Sequence, residues 1–542
     1  MDEKDKIDVV EDKASRSSGE PVYQPDIDTS SVDEKKLLRK IDWMFVPWFS
    51  CLYLLSFLDR TSIGNAKLYN LERDMHITDN QYLLALTVFF IAYAVFEVPS
   101  NIVLKRFRPP IWFAFIMTMW GLFMTLQGVA HNFGSLTAIR WMLGTFEAGL
   151  YPGIAYYLSC WYKRSELGLR TAVFTSATTL SGAFGGLLAA AISNMDGVGG
   201  KPAWAWIFFL EGFVTIVAGI LCLWLVHDFP ETAKFLTEEE RAFVIRRLQS
   251  DDQFSAGGES FRWKTLVATF KDPKMWLAMT LCMGCDMPLY AFSLFTPSII
   301  NQLGFTATKA NLLTVPIYAF AAAVTCFVAV YADRHGHRGR WNILMFSIGG
   351  VGYIILICSR NAALSYFAVY VATCGIFPVV PNTVTWVANN NEGSYKRGVA
   401  LAAAISIGNL NGAVSSNVYR ARDQPWYRLG HAMVLMYIGI GILTHGAFAY
   451  VLKRENARRD RGERDEVIGP DALQQHDNGN GRFLTVDDAK KAKGDGFSGY
   501  RTTKRRPPRH SVNAAISWPR TRQQQRWYDR TFYPSESGAT FF

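Results

Sequence analysis

Charge is scarce in this chain. Asp, Glu, Lys and Arg make up 19% of its 542 residues, against roughly 25% in ordinary soluble domains. The shortage is uneven, because the first 40 or so residues and about the last 90, a quarter of the chain, hold about half of the acid, base and Gln. That pattern argues against a water-soluble globule. Cysteine is sparse too. All eight cysteines fall in or at the ends of apolar blocks, and the CxxC of Cys282 and Cys285 has no second pair. Zinc or redox chemistry is therefore not indicated, and the pair is read as core filling. No GxxxxGK[ST] stretch occurs, so no phosphate-cradling loop for ATP is expected. The N-terminus, MDEKDKIDVVEDKASRSSGE, is too polar to read as a cleaved signal, which leaves the first apolar block as the expected insertion signal.

What the chain does have is apolar blocks of spanning length: half of its residues are hydrophobic and 14% are aromatic. A bilayer core about 30 Å thick needs about 20 apolar residues per helix. Twelve blocks meet that length, centred in about 41–65, 80–101, 111–130, 135–160, 171–193, 204–226, 275–300, 310–331, 341–359, 363–387, 397–419 and 431–452. The expected fold is an all-α membrane protein of twelve transmembrane helices in two six-helix bundles, 41–226 and 275–452. A disordered N-terminus (1–40), a linker with an amphipathic helix (227–274) and a disordered basic tail (453–542) complete the chain. The linker stretch FPETAKFLTEEERAFVIRRLQSDD places acids first and bases last, as the helix dipole favours.

Lys and Arg cluster before the first span (Lys35, Lys36, Arg39, Lys40) and between spans 2 and 3 (Lys105, Arg106, Arg108). They recur between spans 4 and 5 (Lys163, Arg164, Arg170), between 8 and 9 (Arg334, Arg338, Arg340), and after 12 (Lys453, Arg454, Arg458, Arg459). Both termini are therefore expected in the cytoplasm. Arg420, Arg422 and Arg428 dissent, which weakens the eleventh boundary. The net charge of +10 is accounted for by topology signals and the tail, and calls for no nucleic-acid partner.

The basic loops also reveal a repeat. KRFRPP follows the second span of the first half, and DRHGHRGR follows the second span of the second half. Two similar six-span units suggest a secondary transporter with its substrate near the midplane, between the halves. Asp333, Arg334, Gly336 and Arg338 lie at the surface in that loop and are read as hinge and topology clamp rather than substrate contacts.

Charges inside spans cost a few kcal/mol each and normally face a cavity or a partner. In RWMLGTFEAGLYPG of span 4, Arg140 and Glu147 are seven residues apart. They therefore share a helix face, separated by about 10 Å along the axis. Gly144 and Ala148 make a small surface between them that admits another helix or a ligand, and Pro152 invites a kink. Two readings stand side by side: an Arg140 bridge that only holds the bundle together, or an anion-attracting Arg140 with a proton-accepting Glu147. Asp59 and Arg60 in span 1 are adjacent, diverge by about 100° and cannot bridge each other well. They act either as an interfacial anchor or as a second functional pair.

DRHGHRGR resembles the loop signature of the major facilitator superfamily. LDRTSIGNAK, FEVPSN, RWMLGTFEAGLYPG with WYKRSELGLR, YAFSLFTPSII, LLTVPIY and WVANNNEGSYKRGVA resemble its anion:cation symporter branch, especially the fungal allantoate and nicotinate permease-like members. The resemblance covers about 35–460. It implies Asp59 and Glu147 as proton sites, Arg60 as a substrate or coupling residue, and Arg140 as the buried cation. Asn409 and Asn411 in span 11 are candidates to hold a carboxylate, with Gly-Asn packing an equal alternative. Tyr290 and Phe292 either shape the pocket or simply pack. Glu97 is read as pairing with a loop arginine. Asp286 departs from the branch and is assigned no role, and KRFRPP lacks the Asp and Gly of the superfamily signature.

The function these features imply is proton-coupled symport of a small organic anion by alternating access. The chain would act as a plasma-membrane monomer, with no cofactor, metal or enzymatic activity. Export of an acidic metabolite and a non-transporting nutrient sensor are the alternatives.

Overall fold

The computed structural model describes residues 27–104, 107–249, 271–391, 394–468 and 480–484. Lys105, Arg106, much of the linker and most of the C-terminal tail lie outside them, as do the side chains of Arg164 and Asp333.

The first span is α1 (Glu34–Lys67), whose N-cap Asp33 accepts hydrogen bonds from the backbone of Lys35 and Lys36. It is followed by α2 (Asp79–Leu104), α3 (Pro109–Gln127), and the fourth span in two pieces, α4 (Phe133–Glu147) and α5 (Leu150–Ser159). The half closes with α6 (Arg164–Ile192) and α7 (Ala203–Leu225). The linker contributes α8 (Glu238–Gln249), within the stretch read as amphipathic.

The second half runs α9 (Pro273–Gln302), α10 (Ala307–His335) and α11 (Arg338–Cys358). Its fourth span is again divided, into α12 (Ala362–Ile376) and α13 (Val379–Asn389). Then come α14 (Ser394–Ser415) and α15 (Arg428–Asp460). Among the described residues ten helices are long and apolar enough to cross a membrane, with α12 and α13 counted as one. The fourth span, divided and charged, and the shorter α14 complete the twelve.

Proline explains both divisions. Pro152 has no N–H to give the carbonyl of Ala148, and Pro381 has none for Phe377; the breaks fall at those carbonyls. The two broken helices occupy the same place in the two halves, so the repeat extends to helix geometry. Large apolar side chains such as Phe213, Trp224, Phe327, Phe367 and Leu443 point outward, where a bilayer takes the place of a protein core.

The halves meet along α1 with α9, α2 with α14, and α6 with α10. At the face opposite the termini they are laced together. Asn417 donates to Thr87 at 2.8 Å, the Ala421 backbone N–H donates to Asp79 at 2.9 Å, and Asn311 donates to the Tyr69 hydroxyl at 3.1 Å. At the other face, Arg247 of α8 pairs with Glu34 (2.7 Å) and with Glu166, and Lys40 pairs with Glu240 at 2.7 Å. The linker helix is thereby fastened beneath the first half.

Three boundaries differ from expectation, and the first is that α1 already begins at Glu34, seven residues inside the segment read as a disordered N-terminus. The last helix continues to Asp460, eight residues into the segment read as disordered tail, and Val467–Ile468 pairs in parallel with Arg482–Phe483 (β1, β2). Side chains stabilise the extension: Arg464 donates to Glu455 at 2.9 Å, a local pairing that a search for apolar periodicity does not register. Span 11 ends at Ser415 rather than 419, four residues earlier than the apolar run suggests.

Candidate functional site

Every residue of α1 from Leu55 to Ala66 is buried, so this stretch is surrounded on all sides and its polar residues must find partners in protein. Asp59 and Arg60 diverge as adjacent helical positions must. Arg60, with 3% of its surface exposed, spends all three guanidinium nitrogens. Nη2 and Nε donate to Oε1 of Glu147 at 2.5 and 3.1 Å, and Nη1 donates to the Tyr290 hydroxyl at 2.9 Å. Ser56 donates to the same Glu147 oxygen at 2.7 Å.

From Tyr290 the chain of bonds continues across the interface. Its hydroxyl donates to Oδ1 of Asn409 at 2.6 Å, and Glu97 accepts from Ser406 at 3.1 Å and from Asn409 at 3.5 Å. The relay Glu147, Arg60, Tyr290, Asn409, Glu97 thus leaves the first half, crosses two helices of the second and returns. Aromatic rings wall it: Tyr93, Phe57, Phe89 and Tyr290 lie 4.8–5.6 Å from the guanidinium carbon.

Asp59 faces inward to its own half, where Thr215 of α7 donates to Oδ2 at 2.8 Å. Arg140, also buried, sits 5.9 Å from the Phe89 ring, and its Nε and Nη2 have no hydrogen-bond partner. Helical periodicity places Arg140 and Glu147 on one face, yet Glu147 takes its cation from α1. The small surface between them admits a helix rather than a ligand. A Cβ on Gly144 would press on the Phe89 carbonyl and lie 3.2 Å from Cβ of Ala92 in α2.

The structure therefore brings together Arg60, Glu147, Tyr290 and Asn409 among the residues the sequence singles out, and leaves Asp59 and Arg140 in a separate layer. Glu97 corrects its expected pairing: it faces Ser406 and Asn409, not a loop arginine. Asn411 turns back to the Ile407 carbonyl at 2.8 Å, and Phe292 packs edge-on against Tyr318 and Phe377. Asp286 is the one residue of α9 between Gly284 and Ile300 that keeps appreciable solvent access, and it fits because Gly408 opposite has no side chain. In the loop after α10, Gly336 caps the helix at φ 71°, Arg334 is exposed and Arg338 donates to Asn382 at 2.7 Å. Among the described residues no His, Cys, Asp and Glu cluster is fit to hold a metal.

Sequence reading missed Ser56 and Glu211. Glu211 was recoverable, because an acid in the middle of WIFFLEGFVTIV is marked by the same intramembrane cost that marks Glu147.

The sequence pattern of the Major Facilitator Superfamily matches residues 49–416. The chain belongs to this superfamily. Its relatives include an MFS-type transporter, cnsO, of Penicillium expansum, 36% identical, with 84% of this chain and 90% of that protein covered. The high-affinity nicotinic acid transporter of Saccharomyces cerevisiae is 31% identical over 79% of each chain. Two solved structures share the fold. A bacterial homologue of the lysosomal transporter Spinster, inward-facing and occupied, has a TM-score of 0.58 at 13% identity, covering 78% of this chain and 98% of that one. The proton:xylose symporter XylE has a TM-score of 0.56 at 16% identity, covering 74% and 94%. As a superfamily member the chain is a multi-pass membrane transporter with a small-molecule substrate, and not an enzyme.

Proposed function

We propose that this transporter moves a small organic anion together with a proton by alternating access, inward across the plasma membrane, as a monomer with both termini in the cytoplasm. The observation that carries the proposal is Arg60. It is a buried cation at the seam between the halves, held on one side by an ionisable acid of the first half and on the other by a neutral hydroxyl of the second.

A proton on Glu147 removes the charge that holds Arg60. The guanidinium then has a free edge beside Tyr290, and a planar carboxylate matches that edge with two parallel hydrogen bonds. One carboxylate replaces another, so the charge of the buried site stays balanced while one anion and one proton are aboard together. Asn409 and Tyr290 carry the occupancy of the seam into the second half. The loop of Asp333, Arg334, Gly336 and Arg338 serves as a hinge at the surface. The resemblance to a nicotinic acid transporter supports a carboxylate substrate.

The test is uptake into proteoliposomes of nicotinate, allantoate, pantothenate and a sugar acid, with and without an imposed proton gradient. Accumulation should rise with an acid exterior and collapse with a protonophore. Glu147→Gln should lose driven accumulation and keep part of its counterflow exchange. Normal driven uptake in that variant overturns the role of Glu147, and absence of flux with retained binding favours a sensor.

A further inference from the structure

The relay at the seam leaves a second buried polar layer unused, inside the first half. Asp59 lies eight residues from the far end of α1, Glu211 eight residues from the far-face start of α7, and Arg140 seven residues from the far-face start of α4. At 1.5 Å per residue, each is about 10–12 Å below the face opposite the termini. Thr215, which bonds Asp59, stands one helical turn from Glu211 on the same face of α7, and Glu211 is close enough to Asp59 to act on it electrostatically.

Unmet hydrogen-bonding capacity is concentrated in this layer. Glu211 is 3% exposed, and neither carboxyl oxygen makes a well-formed hydrogen bond, although the Ser62 hydroxyl of α1 lies close enough to act on it. Oδ1 of Asp59 and Nε1 of Trp120 are likewise buried, near enough to act on each other but without a well-formed hydrogen bond, and Nε and Nη2 of Arg140 have no partner. The ionisable groups facing Glu211 are Asp59 from α1, with Arg140 and Glu147 from α4 acting on Asp59. The spanning part of α3 contributes no charged residue, and Thr215 is the hydroxyl that α7 itself adds.

Two carboxylates cannot both stay charged side by side in a dry interior, where each unpaired charge costs several kcal/mol. One charge can be tolerated, because Arg140 is there to answer it. We propose that Glu211 is a further residue of the coupling machinery: Asp59 and Glu211 hold one proton between them, with Arg140 as the fixed counter-cation. Release passes the shared proton to water that reaches the layer, and the second negative charge it leaves beside the single Arg140 drives the pair to take up a proton again. This deepens the proton-coupled reading above and rests on it.

The test reads the carboxyls without any substrate. Infrared difference spectra of the full-length purified protein in liposomes are recorded as the pH is stepped, and the C=O stretch of buried protonated carboxyl groups is followed. In Glu211→Gln the midpoint of this signal should move by about one pH unit or more relative to wild type, and Asp59→Asn should remove the same component. Glu211→Asp, which keeps the acid, should retain a titrating signal and serves where the glutamine variant folds poorly.

A Glu211→Gln protein whose titration is superimposable on wild type overturns the proposal, as does a folded Glu211→Asp protein that has lost the titrating component. A purely structural Glu211 would change stability without moving the midpoint. If the midpoint moves but no carboxylate is driven by a proton gradient, the shared proton stands and the proposed function falls. The reverse pattern leaves symport intact and removes Glu211 from it.

Discussion

The two six-helix halves share a fold and divide the chemistry. Within the spans, the fully buried Asp, Glu and Arg residues among those described, Asp59, Arg60, Glu97, Arg140, Glu147 and Glu211, all belong to the first half. The second half fills its interior with neutral polar groups, apart from Asp286 in α9, which keeps appreciable solvent access. Nδ1 of His445 lies 2.7 Å from the Gly441 carbonyl, which only accepts, so Nδ1 donates and Nε2 accepts from the Thr383 hydroxyl at 2.9 Å. Asn342 donates to Thr383 at 2.9 Å, and Asn382 donates to Asn342 at 2.5 Å. This network ends inside the half on a neutral imidazole. One half is built to change its charge, and the other is built to hold its shape while presenting Tyr290 and Asn409 to the seam. Pseudo-symmetry of backbone, down to the paired breaks at Pro152 and Pro381, does not require symmetry of function.

The largest effect tests the charged half. Arg60→Lys keeps the charge but cannot reach Glu147 through two nitrogens and Tyr290 through a third. Breaking a buried, hydrogen-bonded charge pair costs about 2–5 kcal/mol, so transport should fall ~30-fold or more. The measurement is the initial uptake rate per folded molecule. Uptake within a few fold of wild type would mean that the fork of three nitrogens is dispensable and that a point charge at the seam suffices.

A smaller effect is expected in the neutral half. Thr383→Val keeps the shape of the side chain while leaving His445 and Asn342 each short of a partner, at a cost of about 1–3 kcal/mol in stability. The melting temperature in detergent should drop while the ratio of protons to substrate carried is unchanged. A variant that folds normally but couples poorly would erase the division between the halves.

How far the sequence foretold this division can be judged residue by residue. Spans were legible because the bilayer demands an apolar length, and the break at Pro152 because proline lacks an N–H. The faces of Arg140 and Glu147 were legible too, since periodicity sets the angle on one helix. Their partners were not. Arg60 and Glu147 are 87 positions apart and Glu97 and Asn409 are 312 apart, and periodicity says nothing about which helices pack together. The same limit hid the meeting of Asp59 with α7, although the charge of Glu211 alone marked it as worth placing.

The smallest effect concerns the two repeat-related loops, where the more highly charged contact should matter less. In the first half Arg108 pairs with the carboxylate of Asp228, but the arginine side chain is 65% exposed. Water and salt screen such pairs, and their net contribution is small. In the second half Arg338 meets only the amide of Asn382, yet that amide is buried and passes the bond on to Asn342 and Thr383. Removing the guanidinium there leaves a buried acceptor with one bond fewer, and the network behind it loses its anchor at the surface. Arg338→Ala should therefore lower the melting temperature measurably, and Arg108→Ala should leave it within the scatter of repeat scans. The opposite ranking would show that the loops act through charge alone, and that the neutral network of the second half ends at Asn382 rather than beginning there.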